Sequence, residues 1–490
     1  MSKRLSRRRV LKTAGGVITA AGFVQERRAA AAQRGTAPAS TVITDRLARY
    51  MVEARDRALP PEVVREAKHR ILDTLGAMIS GARMKPGEAA IRYVRAQGGT
   101  AEASVLTTDI RTSAVNAALA NGMFGHADET DDFEPVTKAH PGCSVVPAAL
   151  AVAEREGRSG TELLRAVTLG YDACCRFLMA LGPDHVRATH RSAEGTSSTF
   201  GAAAAAASLA RLDENGMRYV LSYAAQQVSG IWSWVHDNEH IEKAFDFGGM
   251  GARNGVTAAL MVQSGFTGVR AVLDGEHNMI QALSTEPRPE QMVAGLGSRF
   301  FVTETAIKTF SVGYPIQAPL DALLTLRRRH GLTAENVDRI VARLPEDGAR
   351  IVDDSAMPDV NCQYILAVGL LDGAVSFADS HSHERMKDPR VLAVKQRIQL
   401  VADRSLMKPD APRSGLVEVT LRDGRQVTQF TPHAPGTKEN PLDASGVDAK
   451  VRDLMAPVVG AERTAAIIRS VHTLEQIGNV RDFVRSLLTT

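Results

Sequence analysis

Eight ionisable side chains lie close together in the stretch 126–140 of this chain. Imidazoles and carboxylates in such a group can accept and donate protons near neutral pH. Pro141 and Gly142 follow and indicate a turn, and an apolar, alanine-rich helix is predicted over 145–153. Acid-rich loops are also common on solvated surfaces, but apolar residues on both flanks favour a loop held between two buried helices. The eight residues are His126, Asp128, Glu129, Asp131, Asp132, Glu134, Lys138 and His140.

Two lysines farther along the chain could add positive charge to such a site. Lys243 precedes a predicted glycine-rich turn, GGMG at 248–251, and Lys308 lies in the apolar segment TAIKTFSVG at 305–313. Lysines are usually solvated surface groups. Two lysines beside turns in apolar surroundings suit a dianionic small molecule, because an ammonium is a compact charge for a carboxylate. GGMG loosely resembles a dinucleotide-binding turn, but no predicted strand precedes it, so no nucleotide cofactor is predicted.

Two further side chains lie ahead of, or at the start of, predicted helices. His190 precedes the alanine-rich helix predicted over 201–210, where a histidine can act as an acid or a base, or can simply lie at the surface. Tyr364 begins a helix predicted over 364–378. Its phenol could donate a proton or pack in the core.

A metal site is the main alternative interpretation of the acidic stretch, because its side chains offer mixed nitrogen and oxygen ligands. The candidate ligands are His126, Asp128, Glu129, Asp131, Asp132 and His140, with HSHE at 381–384 as a weaker candidate. Neither group has the spacing of a known metal motif. The four cysteines, which are Cys143, Cys174, Cys175 and Cys362, match neither a zinc nor an iron–sulfur pattern. We therefore predict no metal and no cofactor.

The first residues predict export. The segment SRRRVLK at 6–12 resembles a twin-arginine motif, and it precedes a weakly apolar run at 13–24 and AAAA at 29–32. We predict a signal peptide over 1–32, a linker over 33–44 and a periplasmic location; a transit peptide and a basic tail are the alternatives. Residues 1–32 carry a net charge of +7, which leaves −3 of the whole chain's +4 for the rest. The excess of basic residues thus lies in the predicted signal peptide, and we predict no nucleic-acid partner for the rest of the chain.

The composition and periodicity predict a mainly α protein. The 490 residues are 44% hydrophobic and 23% charged, as in soluble globular proteins, and no apolar run is long enough to predict a membrane span. Helical spacing dominates up to Gly265, and strands are predicted at 337–344, 399–402, 415–421 and 426–431. We predict a large all-helical domain over 45–301 and 436–490 with an inserted, smaller α+β lid domain over 302–435.

Seven blocks, in order along the chain, resemble the MmgE/PrpD family of 2-methylcitrate dehydratases, cis-aconitate decarboxylases and iminodisuccinate epimerases. The blocks are ILDTLGAMISG at 71–81, ANGMFGHADETDD at 120–132, HPGCSVVPAALAVAE at 140–154, FGAAAAAASLA at 200–210, NGVTAALMVQSGFTG at 254–268, IKTFSVGYPIQAPLDAL at 307–323 and YILAVGLLDG at 364–373. The resemblance implies a helical domain with an α+β lid, a homodimer, and activity without metal or other cofactor.

The resemblance also implies roles for individual residues. The implied catalytic residues are His140, Asp128, Glu129, His190 and Tyr364, and the implied substrate-binding residues are Lys243, Lys308, Asp131, Asp132 and Gln317. The chain departs from the family pattern at several of these positions. Glu129 replaces the more usual Asp, Phe133 stands where many members carry Thr, Gln317 stands where many carry His, and His190 is about one position out of register.

The residues and the resemblance together predict a lyase that removes water from a small di- or tricarboxylate, as a 2-methylcitrate dehydratase does. A base would take a proton next to a carboxylate, and an acid would protonate the leaving hydroxyl. Lys243 and Lys308 would stabilise the negative charge that develops. The alternatives are an epimerase or isomerase, a decarboxylase, a carboxylate-binding protein without catalysis, and a metal-dependent hydrolase.

Overall fold

The computed structural model describes residues 43–488, and these are mainly helical, which confirms the predicted mainly α fold class. The predicted signal peptide over 1–32 and nearly all of the predicted linker over 33–44 lie outside the described residues. Within residues 43–488, every helix is too short or too polar to cross a membrane.

The first part of the described chain consists of packed helices whose bounds lie close to most of the predicted ones. They are α1 Ile43–Asp56, α2 Pro61–Gly81, α3 Lys85–Gln97, α4 Ala114–Gly125, α5 Gly142–Glu156, α6 Gly160–Leu181, α7 Pro183–Ala188, α8 Ala193–Leu209, α9 Glu214–Gln227, α10 Ile241–Ala244, α11 Met250–Gln263 and α12 Met279–Leu283. The prediction of no strand in this part is wrong, because β1 Ala103–Ser104 pairs with β2 Arg111–Thr112. Strands of two residues are too short to show alternation in a sequence.

The segment at residues 312–431, here called the sheet region, contains the larger sheet. Its strands are β3 Val337–Pro345, β4 Ile398–Asp403, β5 Gly415–Leu421 and β6 Gln426–Thr431, and its helices are α13 Tyr314–His330, α14 Glu346–Val352, α15 Cys362–Asp372, α16 Phe377–Ser380 and α17 Pro389–Lys395. The strand order is β4-β3-β5-β6, with β3 parallel to β4 and the other neighbours antiparallel. The four predicted strands are confirmed.

Three helices complete the described chain and return to the first part. They are α18 Ala444–Val459, α19 Ala461–His472 and α20 Val480–Ser486. Helix α18 packs against α2, where Gly76 lets the side chain of Leu454 approach and Lys450 pairs with the buried Asp73 at 2.6 Å. The apolar side chains of residues 47–307 and 447–487 share one core, and those of the sheet region form another. The arrangement as a helical domain with an inserted lid, with bounds at 301 and 435, stays a prediction.

The glycine-rich segment after Lys243 forms a π-helical turn, Phe245–Gly249, that leads directly into α11. The segment is therefore helical, and the prediction of a glycine-rich turn at 248–251 is wrong. Gly248 packs against the backbone of Gly122 in α4, and a side chain at position 248 would overlap the Gly122 carbonyl oxygen. This close approach is what only glycine permits. It brings the π-helical turn, and α10 with Lys243 just before it, next to the end of α4, where the acidic stretch begins.

Candidate active site

The acidic stretch forms a loop, residues 126–141, between α4 and α5, here called the acidic loop, and this confirms the predicted loop-to-helix order. All eight of its ionisable residues are buried, so the alternative of a solvated surface loop is wrong. The backbone of Phe133 exchanges hydrogen bonds of 3.0 and 2.7 Å with Ala306. The Glu134 carboxylate accepts hydrogen bonds from the backbone N–H of Thr137 at 2.6 Å and of Val136 at 3.2 Å. These contacts hold the loop in one conformation.

Asp131 lies at the centre of the acidic loop and is fully buried. Its two carboxylate oxygens lie 2.9 Å from Nδ1 of His126 and 3.0 Å from Nδ1 of His140. The ammonium of Lys308 lies 3.4 Å from the oxygen that contacts His126. One carboxylate therefore orients two imidazoles and one ammonium, which is the arrangement that fixes the tautomer of a catalytic histidine.

Glu129 joins the acidic loop to both lysines. Its carboxylate accepts a hydrogen bond from Lys243 Nζ, and its backbone carbonyl accepts one from Lys308 Nζ at 2.8 Å. Nε2 of His126 and Nε2 of His240 each lie 3.5 Å from the same Glu129 carboxylate oxygen. The backbone of Glu129 adopts φ +54°, in the left-handed region, which is costly for a residue with a side chain. The surrounding ion pairs supply the energy that holds it there.

The charges of this cluster follow from its contacts. Burial alone would raise the pKa of Glu129 and Asp131, but the neighbouring cations hold both pKa values well below their usual range. Burial alone would lower the pKa of His126, but the Asp131 and Glu129 carboxylates raise it. Formally, a protonated His126 and two ammoniums then face two carboxylates, which leaves one positive charge for an anionic ligand.

His140 differs from His126 in its protonation. Burial lowers the pKa of His140, and the nearby Lys308 and His126 lower it further, while Asp131 opposes them. The neutral ring donates from Nδ1 to Asp131, so its Nε2 carries a lone pair, and Nε2 has no hydrogen bond to any of the residues 43–488. A neutral, oriented imidazole with a free nitrogen is suited to accept a proton.

Asp128 and Asp132 are buried on the other sides of the acidic loop. Asp128 accepts hydrogen bonds from Ser80 Oγ and from the Thr130 N–H at 3.2 Å. Asp132 accepts one from Tyr171 at 2.5 Å and one from the Gly142 N–H, at the start of α5, at 2.9 Å. Burial raises the pKa of each of these two carboxyl groups to about 7. The hydrogen bonds of both carboxyl groups go to other groups of the protein, and they therefore hold the loop in place.

A cavity of about 40 Å³ adjoins the cluster, large enough for a few water molecules. Glu129, His140 and Lys243 line it together with Phe247 and Tyr314. The His126 ring stacks on Phe247 with centroids 4.0 Å apart, and Phe133 stacks on Tyr314 at 4.1 Å. Ligand pockets usually measure about 300–1,000 Å³, so this cavity is small for a tricarboxylate.

Two family models match the chain: the MmgE/PrpD N-terminal domain over residues 45–292 and the MmgE/PrpD C-terminal domain over residues 310–476. The chain belongs to the MmgE/PrpD family. The resemblance seen in the sequence blocks is thereby confirmed.

Relatives of this MmgE/PrpD protein carry names of lyases. A cis-aconitate decarboxylase-like protein of Aspergillus oryzae is 24% identical over 90% of this chain and 96% of its own length. The human cis-aconitate decarboxylase is 25% identical over 88% of this chain and 90% of its own length. A mitochondrial 2-methylcitrate dehydratase of Yarrowia lipolytica is 28% identical over 22% of this chain and 23% of its own length. Proteins similar to this MmgE/PrpD chain are therefore enzymes that act on small carboxylates.

The structure brings five of the predicted site residues into one buried cluster: Glu129, Asp131, His140, Lys243 and Lys308. Of these, Glu129, His140 and Lys243 line the cavity, whereas Lys308 lies behind the loop with no exposed surface. Asp128 and Asp132 flank the cluster. The catalytic and binding roles given to these residues stay predictions.

Three predicted site residues lie apart from the cavity. His190 is exposed, adopts φ +60°, and accepts a backbone hydrogen bond from Trp232 at 3.0 Å. The Tyr364 hydroxyl donates to the Asp379 carbonyl at 2.5 Å in the core of the sheet region. The Gln317 amide bonds the backbone of Phe310 at 2.8 and 3.1 Å. In this structure each of the three contacts the backbone of its neighbours, and none contacts the ionisable cluster.

Several side chains that lie in or beside the cavity were not predicted from the sequence, among them Tyr314, His240, Arg187 and Arg413. His240 lies against Glu129, and Arg187 and Arg413 line the cavity from two sides. His240 has a local signal, since it stands three residues before Lys243, one helical turn away. The two arginines have no such local signal, because the sequence around one arginine does not predict that the other lies near it.

Two groups of side chains in the cluster have atoms close enough to hold a metal ion: His126, Asp131 and His140, and His126, Glu129 and His240. The carboxylate oxygens in both groups already bind cationic side chains, namely Lys243 and Lys308. A metal ion would compete with an ammonium for the same oxygen. The donor set therefore fits proton transfer near fixed charges better than it fits metal binding.

We expect the Asp128→Asn substitution to change the pH dependence of stability. Because burial raises the Asp128 pKa to about 7, the folded protein binds this proton more tightly than the unfolded chain does. The carboxyl therefore stabilises the fold at pH 4 and loses that contribution as pH rises to 7. The variant cannot ionise, so its stability relative to the wild type should improve by about 3 kcal/mol between pH 4.5 and 7.5.

Urea unfolding across this pH range measures the difference, and Asp359→Asn, at a carboxyl that is also buried, provides a comparison outside the acidic loop. A stability difference between Asp128→Asn and wild type that stays constant with pH would contradict the prediction.

Proposed function

We propose that this MmgE/PrpD-family protein is a lyase that acts on a small di- or tricarboxylate, and that His140 is its base. The observation that carries the proposal is the position of His140. Its Nδ1 is held by Asp131 at 3.0 Å, its ring is neutral because burial lowers its pKa, and it shares a cavity with Lys243. A base beside a fixed ammonium is what removal of a proton next to a carboxylate requires.

The reaction that we propose is the elimination of water. Nε2 of His140 takes the proton from the carbon next to a carboxylate, and the electron pair of the broken C–H bond forms the C=C bond. The C–O bond to the hydroxyl breaks, and the hydroxyl leaves as water after it gains a proton from an acid. Lys243 stabilises the negative charge that develops on the substrate carboxylate. Lys308, which is buried behind the loop, holds Glu129 and Asp131 in position.

Tyr314 is suited to be the acid. Its side chain lines the same cavity as His140, and the phenol holds a proton at neutral pH. Burial raises its pKa, so transfer of this proton requires a strongly basic oxygen such as the departing hydroxide. Its hydroxyl makes no hydrogen bond with the residues that the structure describes. Stacking on Phe133 fixes the ring.

Replacement of Tyr314 by Phe should therefore lower kcat for dehydration by about 10²-fold, since a positioned general acid contributes 10²- to 10⁴-fold. The substitution removes one oxygen and keeps the stacked ring, so we expect KM to change less than threefold. Steady-state kinetics on the substrate found by the screen below measure both constants. Tyr219→Phe, outside the cavity, is the control, and unchanged kcat in Tyr314→Phe would exclude Tyr314 as the acid.

Decarboxylation is the second candidate. Relatives that align with about nine-tenths of this chain are named cis-aconitate decarboxylases or cis-aconitate decarboxylase-like, whereas the match to a 2-methylcitrate dehydratase covers about a fifth. In this reaction the bond to a carboxylate breaks, CO₂ leaves, and the remaining carbanion takes a proton. The same cavity could hold the substrate of this reaction. A protonated side chain would then donate a proton to the carbanion, and no base would be needed.

A product assay separates these reactions. Purified protein is incubated with 2-methylcitrate, citrate and cis-aconitate, and products are followed by NMR and by CO₂ release. New alkene signals from a hydroxy acid without CO₂ support dehydration, and CO₂ release from cis-aconitate supports decarboxylation. Deuterium exchange at the α carbon without a new alkene would indicate an epimerase instead. Absence of all three reactions on these and on related substituted succinates would contradict a lyase. The periplasmic location and the homodimer stay predictions from the sequence.

A further inference from the structure

A second pair of cationic side chains lines the cavity, and the mechanism above does not use it. Arg187 lies on α7, in the first part of the chain, and Arg413 lies in the segment before β5, in the sheet region. Both are largely buried: their side chains are 15% and 5% exposed. They contact the cavity that His140 and Lys243 line, but they are carried by different parts of the fold.

The two guanidiniums have few partners for so many donors. Asp347 lies between them, with one carboxylate oxygen 2.7 Å from Arg413 and the other 3.5 Å from Arg187. Glu194 lies 3.8 Å from Arg187. Nε of Arg413 is buried without a hydrogen-bond partner, and the Arg187 guanidinium makes no hydrogen bond with any of the residues 43–488. Since each guanidinium carries five N–H donors, most of these donors are free to bind a ligand.

A third basic side chain, Lys138, lies near these two arginines. Lys138 is buried, and among the described residues its ammonium has no carboxylate within 4.0 Å. Burial lowers its pKa well below the usual value, and the adjacent Arg413 and Arg187 lower it further while Asp347 opposes them. Arg187 and Arg413 thus line the cavity with Asp347 and Glu194 as their carboxylate partners, and Lys138 is buried close to both arginines.

We propose that Arg187 and Arg413 bind a second carboxylate of the substrate, away from the carboxylate next to the reacting carbon, and so select di- and tricarboxylates over monocarboxylates. This inference rests on the proposed function, because it assigns the far end of the same substrate. Guanidiniums bind carboxylates through two parallel hydrogen bonds, which fixes orientation as well as charge. A carboxylate between Arg187 and Arg413 would join the first part of the chain to the sheet region across the cavity.

The test measures binding rather than turnover. The probes are tricarballylate, which has three carboxylates and no hydroxyl to eliminate, and butyrate, which has one carboxylate on a chain of similar length. Their Kd values are measured by calorimetry and by NMR titration for the wild type, Arg187→Gln and Arg187→Lys. We expect Arg187→Gln to weaken tricarballylate binding by about 10- to 100-fold, as for loss of a charged hydrogen bond, and butyrate binding by less than threefold. Arg187→Lys should recover part of the affinity.

A surface arginine provides the matched control. Arg404 pairs with Glu346 at 2.7 Å, one residue before Asp347, but its side chain is 83% exposed. Arg404→Gln should leave both Kd values unchanged. Thermal unfolding of each variant shows whether the fold is intact, and Arg413→Gln repeats the test from the other side of the cavity.

The inference would be overturned if Arg187→Gln weakened the binding of both probes equally or weakened neither. It would also be overturned if the wild type did not bind tricarballylate. Selective loss of tricarballylate binding in a protein that converts none of the screened carboxylates would leave the inference standing and remove the proposed function instead.

Discussion

His140→Asn is expected to lower kcat/KM by about 10²- to 10⁴-fold, the usual contribution of a positioned general base. The amide of Asn can take the place of Nδ1 and keep the hydrogen bond to Asp131, which measures 3.0 Å in the wild type. It has no atom in the place of Nε2, which is the nitrogen assigned to the substrate proton. The variant therefore removes the base and retains the contact that orders the loop. Steady-state kinetics and thermal unfolding measure the two effects separately.

The pH profile of the wild type provides an independent check of the same assignment. Because burial lowers the His140 pKa, the ring stays neutral to a lower pH than an ordinary histidine does. The acid limb of kcat/KM should therefore have its midpoint below 6.5. His277→Asn, at a fully solvated histidine, should leave the rate and the profile unchanged. A His140→Asn variant that is folded and retains more than a tenth of the wild-type rate would contradict the role of His140 as base.

Much of the helical scaffold and the strands could be predicted because their signals are local. The strands Gly415–Leu421 and Gln426–Thr431 have the predicted bounds, since side chains alternate between buried and more exposed along β5 and a turn at Asp423 and Gly424 joins the two strands. The acidic loop was recognised because turn residues and an alanine-rich run follow it. In each case neighbours within a few residues determine the outcome.

Helix bounds were missed where burial outweighs local preference. Helix α8 begins at Ala193 rather than at the predicted 201, because Ser192 caps it and four serines and threonines in its first turns are buried. Ser and Thr favour loops in isolation, since their hydroxyls compete for backbone groups. The helix predicted over 364–378 ends at Asp372, because Gly373 adopts φ +79° there.

The long-range contacts of the site could not be read from local pattern at all. Glu129 meets Lys243 and Lys308 across more than a hundred residues, and Arg187 meets Asp347 only when α7 and α14 are brought together. The sequence blocks suggested that the two lysines belong to a site. They did not show that both lysines pair with one glutamate, because that depends on the close approach to α4 that Gly248 allows to the turn following Lys243.

The largest stability effect is expected for Lys308→Met. Lys308 has no exposed surface, and its ammonium contacts the Glu129 carbonyl at 2.8 Å and the carboxylates of Glu129 and Asp131 at 3.4 Å. Met fills a similar volume but leaves two buried carboxylates with one cation fewer. Removal of one partner of a buried ion pair typically costs about 3–5 kcal/mol. Urea unfolding at pH 7, followed by the fluorescence of Trp232 and Trp234, measures the loss.

The control is Lys395→Met, which removes a lysine from a pair with Asp354 whose side chains are 22% and 65% exposed. Exposed pairs contribute at most about 1 kcal/mol, so this variant should remain close to the wild type. The cost of Lys308→Met should also shrink as pH falls below 4, because Glu129 and Asp131 then gain protons in the variant before they do in the wild type. A loss at pH 7 no larger than that of Lys395→Met would mean that Lys308 does not hold the charged loop, and the electrostatic account of the site would fail with it.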